Sequence, residues 1–482
     1  MHMTRKAIGT RLRVALGAAA AALLAACSTE DILTVTDPDI INPSDVSSPD
    51  GADALRVGAL SRFIGATTGY NGGSSGETLW LYSGLLADEW QTGDTFAQRI
   101  ETDARHVIDS NNNIANGYLY AHKARVSAAQ AIRALAEFAP TAPAWQTAEL
   151  YFVEGYLENM LAEHFCNGIA FADVIGGQEV YGAQMTGEQV YALALAHVDS
   201  GLAVIGAGTT AQENKVRNAL RVTRGRILVN LARFTDAAAA VSAVPTSFAY
   251  EHQHSQTTRT NTIGEMNNVG RRYTVGDNEG GNGLPFVSAN DPRLPTCTGN
   301  APVAANRCQQ RGFTTSNTPF NTTNAVPLRV QLRWTSGGQA GSTAAQNSPD
   351  TVTNGIEARL IEAEAQMRAG NFAGAGGTLV ILNNLRTASV GGVAGLAPLT
   401  DPGTAAAQQN LFFREKAFWL YSRGTRLGDL RRLIRQYGRS SESVFPTGVF
   451  AEGGNYGPDV NLVLPQQEQN NPSFHGCLDR NA

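Results

Sequence analysis

The chain of 482 residues is 43% hydrophobic and only 16% charged, enough apolar content for a large core. Its formal charge of -5 supplies no basic field, which excludes nucleic acid as a partner class. No segment after Cys27 approaches the ~20 uninterrupted apolar residues of a membrane-spanning helix, so a water-soluble body is expected from there on.

At the N-terminus Arg5, Lys6, Arg11 and Arg13 precede an uncharged apolar stretch from Val14 to Ala26, the layout of an export signal. The stretch closes on Leu24-Ala25-Ala26-Cys27, small residues directly before a cysteine, which reads as a lipobox. Residues 1–26 are expected to be a lipoprotein signal peptide and Cys27 the lipidated first residue of the mature protein. The bland alternative is a buried thiol in a signal helix. Three acyl chains, at ~0.8 kcal/mol per buried methylene, would make the anchor effectively permanent. Residues 27–50, with Glu30, Asp31, Asp37-Pro38, Asn42-Pro43 and Pro49-Asp50, predict an extended linker.

Residues 51–482 read as a single, mainly α-helical domain. From about 121 to 245 helices succeed one another, each with an apolar stripe at 3.6-residue spacing. Leu150, Val153, Leu157, Met160, Leu161 and His164 form one stripe, and Val190, Ala194, Val198 and Leu202 the next. A third comprises Leu220, Ile227, Leu231 and Phe234. Short polar turns between them imply antiparallel neighbours. The turns at Phe234 and Phe372 each place a Phe at the bend with small residues following, and resemble the joint of tetratricopeptide (TPR) repeats in degenerate form. From about 251 to 352 the composition shifts to Asn, Thr, Gly, Ser and Pro, which predicts short strands, turns and binding loops. Helices return over about 356–437, broken near Ser422-Arg423-Gly424, and the chain after Ser440 reads as loop.

Apart from Cys27, the cysteines are Cys166, Cys297, Cys308 and Cys477, an even set that predicts two disulfides in an exported chain. Three pairings are open. Cys297 and Cys308 bracket one Asn/Pro/Gly-containing loop and could staple it, leaving Cys166 to hold Cys477. A zinc site is the rival, and it lacks a CxxC pair or a His at ligand spacing.

Several motifs occur in an order that resembles the SusD/RagB family. They are the helices at 148–165 and Ala358–Ala365, Asn290-Asp291-Pro292-Arg293-Leu294, Glu415 ahead of Gly424-Thr425-Arg426-Leu427-Gly428-Asp429-Leu430-Arg431-Arg432, and Leu464-Pro465 followed by Glu468 and Asn471-Pro472. The chain departs from that pattern at Leu427-Gly428, where the family usually has Trp-Phe, and at Arg423, where it has Glu. The resemblance implies TPR-like helical repeat pairs forming an α/α superhelix, with a loop-rich, partly β insert facing the ligand. It further implies a surface-facing, outer-membrane lipoprotein, without cofactor or catalysis, that captures an oligosaccharide or peptide and passes it to a SusC-like TonB-dependent transporter. A periplasm-facing TPR scaffold and a helical glycoside hydrolase are the competing readings.

Binding a glycan needs flat ring faces, and Trp80, Trp90, Tyr273, Phe286 and Trp334 are the candidates, each with core packing as its alternative. Arg426, Asp429, Arg431 and Arg432 read as structural ion pairs. Asp88 and Glu89, adjacent on a helix, diverge instead of facing across a scissile bond. His252 and His254 lack a third metal ligand, and Asp109–Asn113 lacks the Gly and distant Glu of a calcium loop. No Walker, HExxH or dinucleotide fingerprint occurs, which favours binding over catalysis.

Overall fold

The computed structural model describes residues 47–69, 77–298, 327–334 and 342–482. The expected signal peptide, Cys27, nearly all of the linker and Cys308 lie outside the described residues. The linker expectation runs slightly too far: Ser48 Oγ accepts the Gly51 N–H and Pro49 occupies the first turn, so helix α1 (Pro49–Thr67) starts there.

The fold is mainly helical, as the periodicity requires. After α2 (Leu79–Leu86) and α3 (Ala97–Asp103), α4 (Asn112–Phe138) packs on α1 and then on α5 (Ala144–His164). The series continues through α6 (Gly187–Ile205), α7 (Ala211–Asn230) and α8 (Phe234–Val241), each against its predecessor. Both α6 and α7 open with a reciprocal capping box, Thr186 with Gln189 and Thr210 with Glu213. The α5–α6 crossing is close enough that a Cβ on Gly155 would lie 2.4 Å from Val198 Cγ2. Each Phe turn follows a left-handed residue, Ala232 at φ 57° before Phe234 and Gly370 at φ 77° before Phe372.

One correction falls in this region. An antiparallel hairpin, β2 (Ile169–Ile175) with β3 (Gln178–Met185), interrupts what read as unbroken helix. Its two-residue turn is Gly176-Gly177, at φ 58° and 77°, the left-handed pair a tight hairpin demands.

The insert closes at its base where β4 (Ala249–His252) pairs with β8 (Asp350–Asn354). Inside it β5 (Tyr273–Val275) pairs with the N-terminal strand β1 (Trp90–Thr92), and β6 (Thr296–Thr298) with β7 (Arg329–Gln331). A short helix, α9 (Ser342–Asn347), precedes β8. α10 (Gly355–Arg368), α11 (Thr378–Thr387) and α12 (Ala405–Trp419) extend the helical layer from α8, and α13 (Arg426–Tyr437) folds back onto α2 and α5.

One buried apolar cluster runs from Ala52 to Leu464. The C-terminal segment is pinned by the Cys166–Cys477 disulfide, Cα atoms 5.8 Å apart, and beside it Leu462 N donates to His164 O at 2.8 Å. Cys297 is also disulfide-bonded. Among the described residues no helix is long and apolar enough to cross a membrane.

Candidate ligand-binding site

The five aromatic side chains expected at a ligand surface are all in the core: Trp80, Trp90, Tyr273, Phe286 and Trp334 are each 0% exposed. The structure does bring four of them together. Trp90 and Trp334 stack at 6.0 Å, Tyr273 and Tyr421 lie 6.3 and 5.3 Å from Trp90, and Phe286 adjoins Tyr421 at 5.1 Å. Trp80 packs on Gly424, where φ is +65° and a Cβ would sit 2.4 Å from Trp80 Cδ1. The polar neighbours of Tyr273 are themselves paired: Thr274 Oγ1 donates to Pro327 O at 2.9 Å. The rings are therefore a tie between the N-terminal strand, the insert and the C-terminal helices. They offer no face to a sugar.

The motif charges have the structural role expected of them. Glu415 accepts from Arg293 at 2.6 Å and from Arg386 at 2.9 Å, and Arg293 also holds Asp291. Asp88 accepts two bonds from Arg426, at 2.6 and 2.8 Å, and one from Leu284 N. Asp429 lies 2.7 Å from Lys416 and 2.6 Å from Arg432; burial opposes its charge, but these two cations hold the carboxyl below the usual range. Arg431 Nη1 donates to the carbonyls of Ala162, Glu163 and Phe165 at the C-terminal end of α5.

The remaining candidates resolve similarly. Glu89, pushed up to about 8 by burial, accepts the Ser422 N–H and does not face Asp88 across a cleft. Asn111 in the Asn-rich turn caps α4, accepting from Asn113 N and Ile114 N. Among the described residues no group of three His, Cys, Asp or Glu side chains could hold a metal ion, His252 and His254 included.

The concave surface suited to a ligand lies elsewhere. A cleft of about 640 Å³ runs between α1, α4, the edge of β2 and the insert at Arg259. Such a volume is in the range of small-molecule sites. Tyr120, Lys123, Ser127 and Gln130 recur at helical spacing along α4 and form its floor. Arg62 and Arg259 flank them, and Val126 and Val174 add apolar area. Arg62 is held in place by donating to Ser127 Oγ, and Arg259 by donating to Ser61 Oγ. His122, at the inner wall, packs on Tyr118 and Phe171 and is pushed down to about 3 by burial and by Arg125, so its ring is neutral. No carboxylate lines the cleft among the described residues, so it lacks the acid pair of a glycosidase. The polar stripe on α4 was the only sequence signal for it, and such a stripe normally means a solvated face.

No protein-family model matches the chain, and no curated protein does. Solved structures do match. A SusD superfamily protein from Parabacteroides distasonis superposes with a TM-score of 0.64 at 13% identity, covering 89% of this chain and 98% of its own. A SusD-like carbohydrate-binding protein from Bacteroides fragilis gives 0.63 at 13% identity over 89% and 99%. Surface glycan-binding protein A from Bacteroides uniformis gives 0.64 at 12% identity over the same shares. The helical layer, the insert closed by β4 and β8, and the clamp from Asp291-Pro292-Arg293 to Glu415 thus belong to a chain with the SusD fold.

Proposed function

We propose that the protein is a lipid-anchored glycan-capture protein of the outer membrane, tethered through Cys27, that delivers oligosaccharide to a SusC-like TonB-dependent transporter. The observation that carries the reading is the open cleft on a SusD fold, rich in hydrogen-bond donors and, among the described residues, without a carboxylate. Its structural neighbours include proteins described as carbohydrate-binding, which supports a sugar over a peptide. Tyr120 supplies a ring, and Gln130, Lys123 and Ser127 supply groups for hydroxyls.

The test is calorimetry of the purified protein against a panel of oligosaccharides and peptides, with product release followed in parallel. Retention of one glycan class without turnover, weakened about 10-fold by Tyr120→Ala, is the expected result. Released monosaccharide would make it an enzyme, and binding of peptides alone would replace the glycan.

A further inference from the structure

A second pocket, of about 400 Å³, lies between the β4–β8 pair and the C-terminal end of α12 and shares no lining residue with the cleft. Its charged lining is three guanidiniums, Arg293, Arg333 and Arg423, against two carboxylates, Glu251 and Asp350. Arg293 is committed to Asp291 and Glu415. Arg333 donates to Tyr421 O at 3.0 Å and lies 3.8 Å from Asp350, whose Oδ1 also accepts from Trp334 Nε1. Arg423 has no such commitment: its Nε and Nη1 are removed from solvent and meet no acceptor among the described residues. The Nε1 of Trp419, a further lining residue, is likewise buried without a partner.

A guanidinium does not escape this situation by losing its proton. Burial, and then the neighbouring Arg333, push Arg423 down only to about 10, so it stays charged at neutral pH. Arg423 as a whole is half-buried, but two buried donors without an acceptor are costly, and the pocket beside them is large enough for a sugar ring. Arg423 is also where the sequence departs from the SusD/RagB pattern, with Arg in place of Glu.

We propose that this pocket binds the carboxylate of a compact monoanionic ligand such as a uronic acid, with Arg423 as the charged contact and Trp419 Nε1 as a second donor. With Arg293 already neutralised by Asp291 and Glu415, Arg333 and Arg423 only balance Glu251 and Asp350, so the pocket suits a monoanion placed at Arg423 and the two carboxylates oppose a dianion such as phosphate. Phe418, Ile356 and Val393 give the ring an apolar wall. The sugar identity rests on the glycan reading; the carboxylate does not.

The experiment is a calorimetric and thermal-shift titration of the purified protein with D-glucuronate, D-glucose and inorganic phosphate. Glucuronate is expected to bind one site and raise the melting temperature, glucose to do neither at the same concentration, and Arg423→Gln to weaken glucuronate about 10-fold or more. Arg423→Glu gives Arg333 an anion and removes the site, so it is expected to melt no lower than the parent and to ignore glucuronate. The proposal is overturned if glucuronate leaves the parent unaffected, if Arg423→Gln binds it equally, if phosphate binds as tightly, or if both variants destabilise the protein without ligand. Tyr120→Ala should leave glucuronate binding intact, so failure here and failure of the cleft reading are visible separately.

Discussion

The helical layer and the insert are stabilised by different means. Helices α4 to α8 meet mainly through continuous apolar stripes and small-residue crossings such as Gly155 on Val198, supplemented by the buried pairs Arg125–Glu158 and, to α10, Arg226–Glu357, and by capping boxes on α6 and α7. Among its described residues the insert has only two-stranded pairs, and it is held to the helices by buried polar clamps, Arg293 to Glu415 and Asp88 to both Arg426 and Leu284 N, with stacked aromatic side chains between. Apolar stripes tolerate change by repacking. A buried charge clamp does not, because removing one partner strands the other.

Glu415→Ala should show this most strongly. It leaves Arg386 without a carboxylate and Arg293 with Asp291 alone, and is expected to cost about 3–5 kcal/mol, with amide exchange rising in the insert while α5 to α7 stay protected. Uniform exchange across both regions would mean that they unfold together. Replacing both Cys166 and Cys477 by Ser opens a closure spanning 311 residues and is expected to cost about 2–4 kcal/mol in denaturant melts, through the C-terminal segment.

The junction of the two regions should respond to pH. Glu89, pushed up to about 8 by burial, is neutral in the folded protein near pH 7 but ionised when unfolded, so stability is lost as pH rises from about 4.5 towards 8. The slope is at most ~1.4 kcal/mol per unit. His122, pushed down to about 3, acts oppositely: the unfolded ring gains a proton that the folded ring refuses, and stability falls as pH drops from about 6.5 towards 3. Glu89→Gln is expected to lessen the decline between about pH 6.5 and 8, a window in which unfolded His122 sheds its remaining proton and Glu154, pushed up to about 7 by burial, adds to the decline at the lower end. Urea melts at the two ends of that window decide it, an unchanged slope counting against a neutral Glu89. The smallest effect belongs to the exposed Arg133–Asp173 pair that joins α4 to the β2–β3 hairpin, where Arg133→Ala should change stability by less than about 1 kcal/mol.

Much of the helical layer was readable because helical spacing imposes its own pattern. The stripes at Leu150 and Val190 mark α5 and α6, and the break at Ser422 to Gly424 separates α12 from α13 as read. The hairpin at Ile169–Met185 was missed although Gly176-Gly177 announced it, since both its flanks are helical. The aromatic side chains failed as site candidates for a different reason. Residue type and neighbours cannot say whether a ring faces out or is covered by a segment two hundred residues away, as Trp90 is by Trp334 and Tyr421.

By itself the sequence determined the helical class, the position of the insert and the motif charges, because periodicity, composition and spacing are local properties. Tertiary structure alone decided which surfaces are concave and which cations lack partners. The cleft at Tyr120 and the unpaired Arg423 exist only where distant segments meet, and hydrogen-bond satisfaction is settled by those encounters.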